Sequence, residues 1–442
     1  MSWRLPSPLQ PAGKSTAAAR QHHNGPLPAS INVGTVSARA YGFQGQIDAA
    51  ALEAAVVALV TDLPILAGRM EGLSSKNGSI RIAHSDQGAL FTVARTAALS
   101  LAAMAPDTWP ASGFTLSNSL IPFYMEGARM EGGRAIGMMQ GKEPLLKVRL
   151  TQLRDGCILG ITINHAMKDG VRWSNLMNHL AARYRQHGGG AAVVATDLIC
   201  PVDRSVLSAA HVAEQLGVAD DWEPPRSLMQ PSLLDYLRGF QAVLADATGK
   251  KSLAFLHIPK EQLSSLKQLA AGVMAQLKAP YGFFGNAATT FYASVPPGEG
   301  HMDASPISAF QQLAGAIRRA ALVFRDPATQ LGHLREMEAL GNADLPAFLA
   351  YVYGSRWTQV PCFTNYVPQQ QAPDFGIGPP LYDRELTSPR LRNIAVIRAA
   401  CAPYSEGLFV QLCLSPSQLD HLRGHPALAE LLPQASWVGQ EA

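Results

Sequence analysis

Two α/β domains with mixed sheets are what this sequence predicts. At 442 residues the chain exceeds the size at which one core keeps growing. Strand-like and helix-like segments alternate in both halves. Turn signals such as Asp155-Gly156 and Lys76-Asn77-Gly78 sit between short alternating runs, as hairpins require. The expected partition is an aperiodic, disordered tail over 1–30, a first half over 31–190, a crossover linker over 191–250 and a second half over 251–442.

Composition narrows the function classes. Apolar residues make up 47% and charged residues 16%, which is material for a packed core and not for a disordered chain. A net charge of +3 without a Lys/Arg run gives no footprint for nucleic acid. The five cysteines are scattered and show no C-x-x-C spacing, so they read as reduced thiols in an intracellular, cytoplasmic protein without a metal site. No apolar run reaches the ~18 residues that span a bilayer. The N-terminal stretch has no acidic residue before Asp48, but carries Arg4, Lys14 and Arg20. That composition fits either a basic tail or an organelle transit peptide.

The elements follow in order. Asp48 is placed to cap a helix in which Leu52, Val56, Leu59, Val60 and Leu63 recur at helical spacing, and Pro64 ends it. Short strands are expected at 80–82 and 90–93. A strand over 145–153 turns at Asp155-Gly156 into a second over 157–164, where Leu159, Ile161 and Ile163 share a face. After Gly170 the period becomes helical, with Trp173, Leu176, Leu180 and Tyr184 on one side and glycines 188–190 as the stop. The crossover holds one amphipathic helix near 233–244. Beyond it a strand (253–258), helix (260–277), strand (283–292), helix (307–323), strands (396–400 and 408–414) and a last helix (416–422) complete the pattern.

The chemically informative stretch is Asn164-His165-Ala166-Met167-Lys168-Asp169-Gly170. A His at the end of a strand, followed by a turn into a helix, stands where α/β proteins open a cleft. Its unperturbed pKa of ~6.5 suits proton abstraction from an alcohol or amine. Asp169 either ties down the turn through a salt bridge or orients the ring, and Gly170 permits a tight backbone. The competing reading is a His that satisfies its own nitrogens at a strand terminus. H-x-x-x-D-G alone arises by chance in roughly 4% of chains with these frequencies.

Further motifs accompany it in order: Leu66-Ala67-Gly68-Arg69, Val202-Asp203-Arg204, Phe283-Phe284-Gly285-Asn286, Asp374-Phe375-Gly376-Ile377-Gly378 and the strand 407–414. Together they resemble the BAHD family of coenzyme-A-dependent acyltransferases, whose signatures are H-x-x-x-D-G and D-F-G-W-G. The resemblance implies two chloramphenicol-acetyltransferase-like domains with a channel between them. It implies an acyl-CoA cosubstrate, a small-molecule alcohol or amine acceptor, no bound metal and a monomer. By resemblance His165 is the general base, and Asp169 is structural or orienting. Thr364-Asn365-Tyr366 stands where many members carry T-S-W, so the Thr364 and Tyr366 hydroxyls are candidate donors to the developing charge; Tyr366 reads equally as a wall-packing aromatic. Gly285 and Asn286 belong on the CoA side of the channel or simply end a strand. Gly170, Asp374 and Gly376 are expected to be structural, and Ile377 replaces the usual Trp. Arg318 and Arg319 serve either a solvated face or a phosphate.

One departure is large. Between the helix beginning near Lys260 and the F-F-G-N strand, the family carries an additional helix and a D-x-R strand whose Arg partners the motif Asp. Here the chain is shortened at about 270–281 and neither motif is present. That leaves either a trimmed enzyme or an incomplete gene model, and Asp169 needs another partner. Two rival readings remain. Condensation domains share the fold but prefer H-H-x-x-x-D-G, and position 164 here is Asn. A catalytically inactive scaffold on the same fold is the other.

Overall fold

Position 48 opens the first long helix as expected. The Asp48 carboxylate accepts a hydrogen bond from Ala51 N (2.8 Å), the geometry of an N-cap, and α1 runs Ala49–Asp62. The computed structural model describes residues 7–9, 36–71, 81–83, 88–101, 141–164, 170–188, 209–218, 252–263, 326–342, 362–365, 373–385, 394–399 and 407–437, with a few single positions between them. Leu52, Val56, Leu59, Val60 and Leu63 are all buried, so α1 is held by its apolar stripe. Pro64 follows in a short 3₁₀ turn, Pro64–Ala67.

The first sheet has six strands in the order β1-β5-β6-β7-β2-β10. These are β1 (Ser7–Leu9), β2 (Val36–Phe43), β5 (Ala89–Arg95), β6 (Leu146–Gln152), β7 (Cys157–Asn164) and β10 (Tyr382–Glu385). β5 and β6 are parallel and the other pairs antiparallel. β3 (Arg69–Glu71) and β4 (Arg81–Ala83) pair antiparallel as a separate two-stranded sheet, and the turn expected at 76–78 lies outside the described residues. The 6-to-7 turn forms as predicted, with Gln152 opposite Cys157 and Leu153 N donating to Gly156 O (2.8 Å). Ser7–Leu9 pairs with Phe91, Leu90 and Ala89, inside the tail expected to be aperiodic; three residues are too few to carry a period.

α2 (Gly170–His187) packs on α1 and on the face of β7 that bears Leu159, Ile161 and Ile163. Trp173, Leu176, Leu180 and Tyr184 are buried there, as their spacing demands. All eight residues of β7 are buried, so this strand is covered on both faces.

The second sheet is also mixed, in the order β13-β8-β12-β11-β9. It comprises β8 (Ser252–Ile258), β9 (Cys362–Asn365), β11 (Ile394–Ala399), β12 (Leu408–Leu414) and β13 (Ser436–Trp437), with β9 and β11 parallel. Helix α3 (Ala209–Leu216) packs on α4 (Pro327–Asn342) through Ala209, Ala213, Leu331 and Leu334. α5 (Pro416–Gly424) opens with a capping box at Ser415 and Gln418, and α6 (Pro426–Leu431) follows.

Chain order and spatial order part company at β10. Tyr382–Glu385 lies beside β2, with Tyr382 opposite Gly42 and Glu385 opposite Arg39, and Leu381 N donates to Gly42 O (2.7 Å). Residues 373–385 therefore belong structurally with the first sheet, although they fall within the 251–442 half in sequence. In the crossover, positions 233, 234, 237 and 241 are helical, but Leu233 is 75% exposed and Leu234 and Leu237 are exposed too. The expected helix over 260–277 is described only at 260–263, and the expected strand over 283–292 lies outside the described residues. No helix among the described residues is long and apolar enough to cross a membrane.

Candidate active site

The H-x-x-x-D-G stretch falls in the connection between a central strand and a core helix. β7 ends at Asn164 and α2 begins at Gly170. Asn164 is buried, and its N–H donates to Leu145 O (3.2 Å), which fixes the strand end against the start of β6. Met167, inside the connection, is buried in the first core. His165 and Asp169 lie outside the described residues, so the geometry available is that of the two elements that hold them.

Those elements are tied together by polar contacts as well as packing. Trp173, in the first turn of α2, donates its indole N–H to the Tyr41 hydroxyl (2.7 Å). The Arg39 guanidinium lies over the same indole, 5.5 Å from its centroid. Further along α2, buried His179 meets the Asp62 carboxylate at the end of α1 (Nε2–Oδ2 2.7 Å), and Arg183 Nε donates to the same oxygen (2.7 Å). Burial lowers the His179 pKa, partly offset by the hydrogen bond to Asp62. These contacts fix α2 from its first turn to its fourth, and so fix the helix end of the connection.

The D-F-G-I-G stretch docks on the same unit. Phe375 is 1% exposed and makes edge contacts with Phe43 (5.6 Å) and Tyr184 (5.5 Å). Asp374 is exposed; its carboxylate accepts from Gly376 N (2.8 Å) and its carbonyl accepts from Arg185. Gly376 and Gly378 have φ of 75° and 91°, which only glycine adopts without strain. Ile377 lies so close to Gly45 that a Cβ there would stand 2.8 Å from the Ile377 Cβ. The residue that stands in place of the usual Trp is thus closely fitted.

The remaining candidates are placed only in part. Thr364 lies on β9, opposite Val396 of β11. Tyr366, Gly285 and Asn286 lie outside the described residues, as do Val202, Asp203 and Arg204. Arg319 is helical and exposed, and Arg318 lies outside the described residues. Arg69 of Leu66-Ala67-Gly68-Arg69 is buried and donates to the carbonyls of Ala67, Gly68 and Gly88 (3.2, 2.9 and 3.0 Å), stitching β3 to the start of β5. Sequence reasoning missed Arg39 and the His179–Asp62–Arg183 cluster. The available signal for Arg39 was a lone charge within a run, 36–43, that is otherwise small or apolar apart from Ser37. Among the described residues no group of three His, Cys, Asp or Glu is arranged to hold a metal ion.

The Transferase family model matches residues 42–197, the stretch that runs from the end of β2 through α2. A search of the curated proteins finds no match. In structure the chain is similar to F. graminearum TRI101 complexed with coenzyme A and T-2 mycotoxin, at 12% identity and TM-score 0.59 over 99% of this chain and 100% of that one. It is similar to vinorine synthase at 17% identity and TM-score 0.56, over 98% and 97% of the two chains. The first condensation domain of the CDA synthetase matches at 16% identity and TM-score 0.56, over 95% and 98%. At such identities the likeness establishes the fold, two α/β domains with mixed sheets of the chloramphenicol acetyltransferase type.

Proposed function

We propose that this chain is a BAHD-type acyltransferase that moves an acyl group from acyl-CoA to a hydroxyl or amine of a small-molecule acceptor, with His165 as general base. The observation that carries the reading is the fit of the motif to the fold: H-x-x-x-D-G spans the link from the buried strand β7 to helix α2. A base so mounted is held by rigid elements on both sides. The family model covering 42–197 and the structural likeness to TRI101, which has been seen with coenzyme A, support it.

In the proposed reaction His165 takes the proton of the acceptor O–H or N–H. The acceptor atom then bonds to the thioester carbonyl carbon, and the carbonyl electron pair moves onto oxygen. Collapse of this tetrahedral species breaks the carbon–sulfur bond, and the imidazolium returns its proton to the CoA thiolate. No acyl-enzyme forms. Thr364 and Tyr366 are proposed donors to the oxyanion. Gly285 and Asn286 line the CoA side, and Asp374, Gly376 and Gly170 are structural. Asp169 positions the turn. The enzyme acts as a cytoplasmic monomer and requires no metal.

The test is release of CoA from a panel of acyl-CoAs with candidate alcohols and amines. His165→Ala lowers turnover by ~10² to 10⁴, and wild-type activity rises as pH climbs through ~6–7 and the free imidazole appears. Equal rates in wild type and His165→Ala refute the assignment and favour an inactive scaffold. The likeness to a condensation domain favours one alternative, transfer from a carrier protein. Turnover with free acyl-CoA excludes a requirement for such a carrier.

A further inference from the structure

We propose that Ser37 is a substrate-binding residue: its hydroxyl is held for a hydrogen bond to a polar group of the acceptor. This rests on the reading of the chain as an acyltransferase and adds a residue that none of the motifs contains.

Burial and isolation single the hydroxyl out. Ser37 is 1% exposed, and its Oγ has no hydrogen-bond partner. A hydroxyl so enclosed lowers stability, and native proteins pair nearly all such groups. Alanine would fit the strand without that cost, and β2 has alanine at positions 38 and 40. The serine therefore calls for a partner that the free protein does not supply.

Its place on β2 says where that partner comes from. Ser37, Arg39 and Tyr41 alternate onto one face of the sheet, opposite Ile163, Ile161 and Leu159 of β7. This is the face that α2 covers: Trp173, in the first turn of α2, donates to Tyr41 and lies under the Arg39 guanidinium. From Tyr41 to Ser37 the strand advances ~13 Å towards the end of β7. β7 stops at Asn164, one residue beyond Ile163. Ser37 thus stands in the last row of this face before the chain leaves the sheet for the link that carries His165. Beside it in that row are Ile163 and Leu146, both buried, whose side chains offer no hydrogen bond.

Thr151 is the internal contrast. Its Oγ1 is also buried without a partner. It lies opposite Ile158, beside the Asp155-Gly156 turn at the far end of β7. Leu146, Val148 and Leu150 of β6 face the first core, so alternation puts Thr151 on the other face. Of these two orphan hydroxyls, only that of Ser37 borders the link. A hydroxyl both donates and accepts, which suits the O–H or N–H of an alcohol or amine. Such a bond holds the acceptor beside the link where its proton is removed.

The test compares Ser37→Ala with Thr151→Val, which removes the contrasting hydroxyl. Without substrates, neither variant should lower the unfolding equilibrium constant by more than ~5-fold, since no hydrogen bond is lost. A larger fall in Ser37→Ala shows a hydroxyl already bonded in the free protein, as to a buried water, and overturns the proposal. Turnover is measured with acetyl-CoA as donor and cyclohexanol, ethylene glycol, benzyl alcohol and benzylamine as acceptors. For the acceptor that the wild type uses fastest, Ser37→Ala should lower kcat/KM by ~10-fold or more, with KM for acetyl-CoA within about two-fold. Thr151→Val should match the wild type. An equal loss in Thr151→Val, or an effect confined to KM for acetyl-CoA, overturns the proposal. No release of CoA by the wild type with any of the acceptors refutes the proposed function and this assignment with it. Transfer by the wild type with no change in Ser37→Ala refutes this assignment alone.

Discussion

Truncating Phe375 to Ala should unfasten the D-F-G-I-G loop from the first domain. The ring is almost wholly buried between Phe43 and Tyr184, with centroid separations of 5.6 and 5.5 Å. Removing a buried Phe costs its transfer free energy and leaves a cavity, together ~3–5 kcal/mol. Each edge-to-face contact contributes ~0.5–1.5 kcal/mol of that order. The neighbouring Asp374→Ala is the control. Its ion pair with Arg185 is long (3.6 Å) and its side chain is 73% exposed, so the pair should contribute no more than ~1 kcal/mol. Urea unfolding followed by tryptophan fluorescence reads both variants, because Trp173 reports from the same core. Phe375→Ala is expected to lower the first transition by ~3–5 kcal/mol. A loss below ~1 kcal/mol, or one no larger than that of Asp374→Ala, would show that the loop is not part of this core.

Three further outcomes are expected. Burial holds the folded-state pKa of His179 below its unfolded value, so the unfolded chain takes up the proton first; stability is full above ~6.5 and declines as pH falls through it. His179→Gln should therefore show a shallower fall in unfolding midpoint between about pH 7 and 5.5, and an unchanged slope would refute this. A Cβ at Gly156 would stand 2.2 Å from Phe43 O, so Gly156→Ala should cost ~3 kcal/mol or more, read as a fall in Tm; a neutral substitution would mean the turn can shift. Ser415→Ala removes the capping box of α5 and should cost ~1 kcal/mol, with hydrogen exchange accelerated in its first turn.

How much of this was legible in the sequence depends on where each element gets its stability. α1, α2 and the β6–β7 hairpin carry clear periods and turn residues, and they lie where the pattern puts them. β2 has no readable alternation, because a central strand covered on both faces mixes small and apolar residues at every position. β10 reads Tyr-Asp-Arg-Glu and has no apolar period at all; its place comes from ladder hydrogen bonds to β2 and the docking of Phe375 just upstream. α4 begins after Asp326, whose carboxylate accepts from Thr329 N (2.8 Å), a cap that could have been found from the Asp-Pro pair. At the site, the strand-to-helix pattern located the His165 link, and only the family resemblance singled out the docking loop. Arg39 escaped because its significance lies in what α2 lays over it, a contact between residues distant in sequence.

The strand that reaches back across the molecule has a consequence for how the protein is made. While the chain is being synthesised, β2 can pair with β7, but its other edge waits for Tyr382–Glu385, which emerges only after most of the chain has been completed. Until then the nascent first sheet presents a row of unsatisfied backbone groups, a template for pairing with another nascent chain. A fragment ending in the crossover would keep that open edge permanently. Such a fragment should aggregate unless the late segment is supplied as a separate peptide.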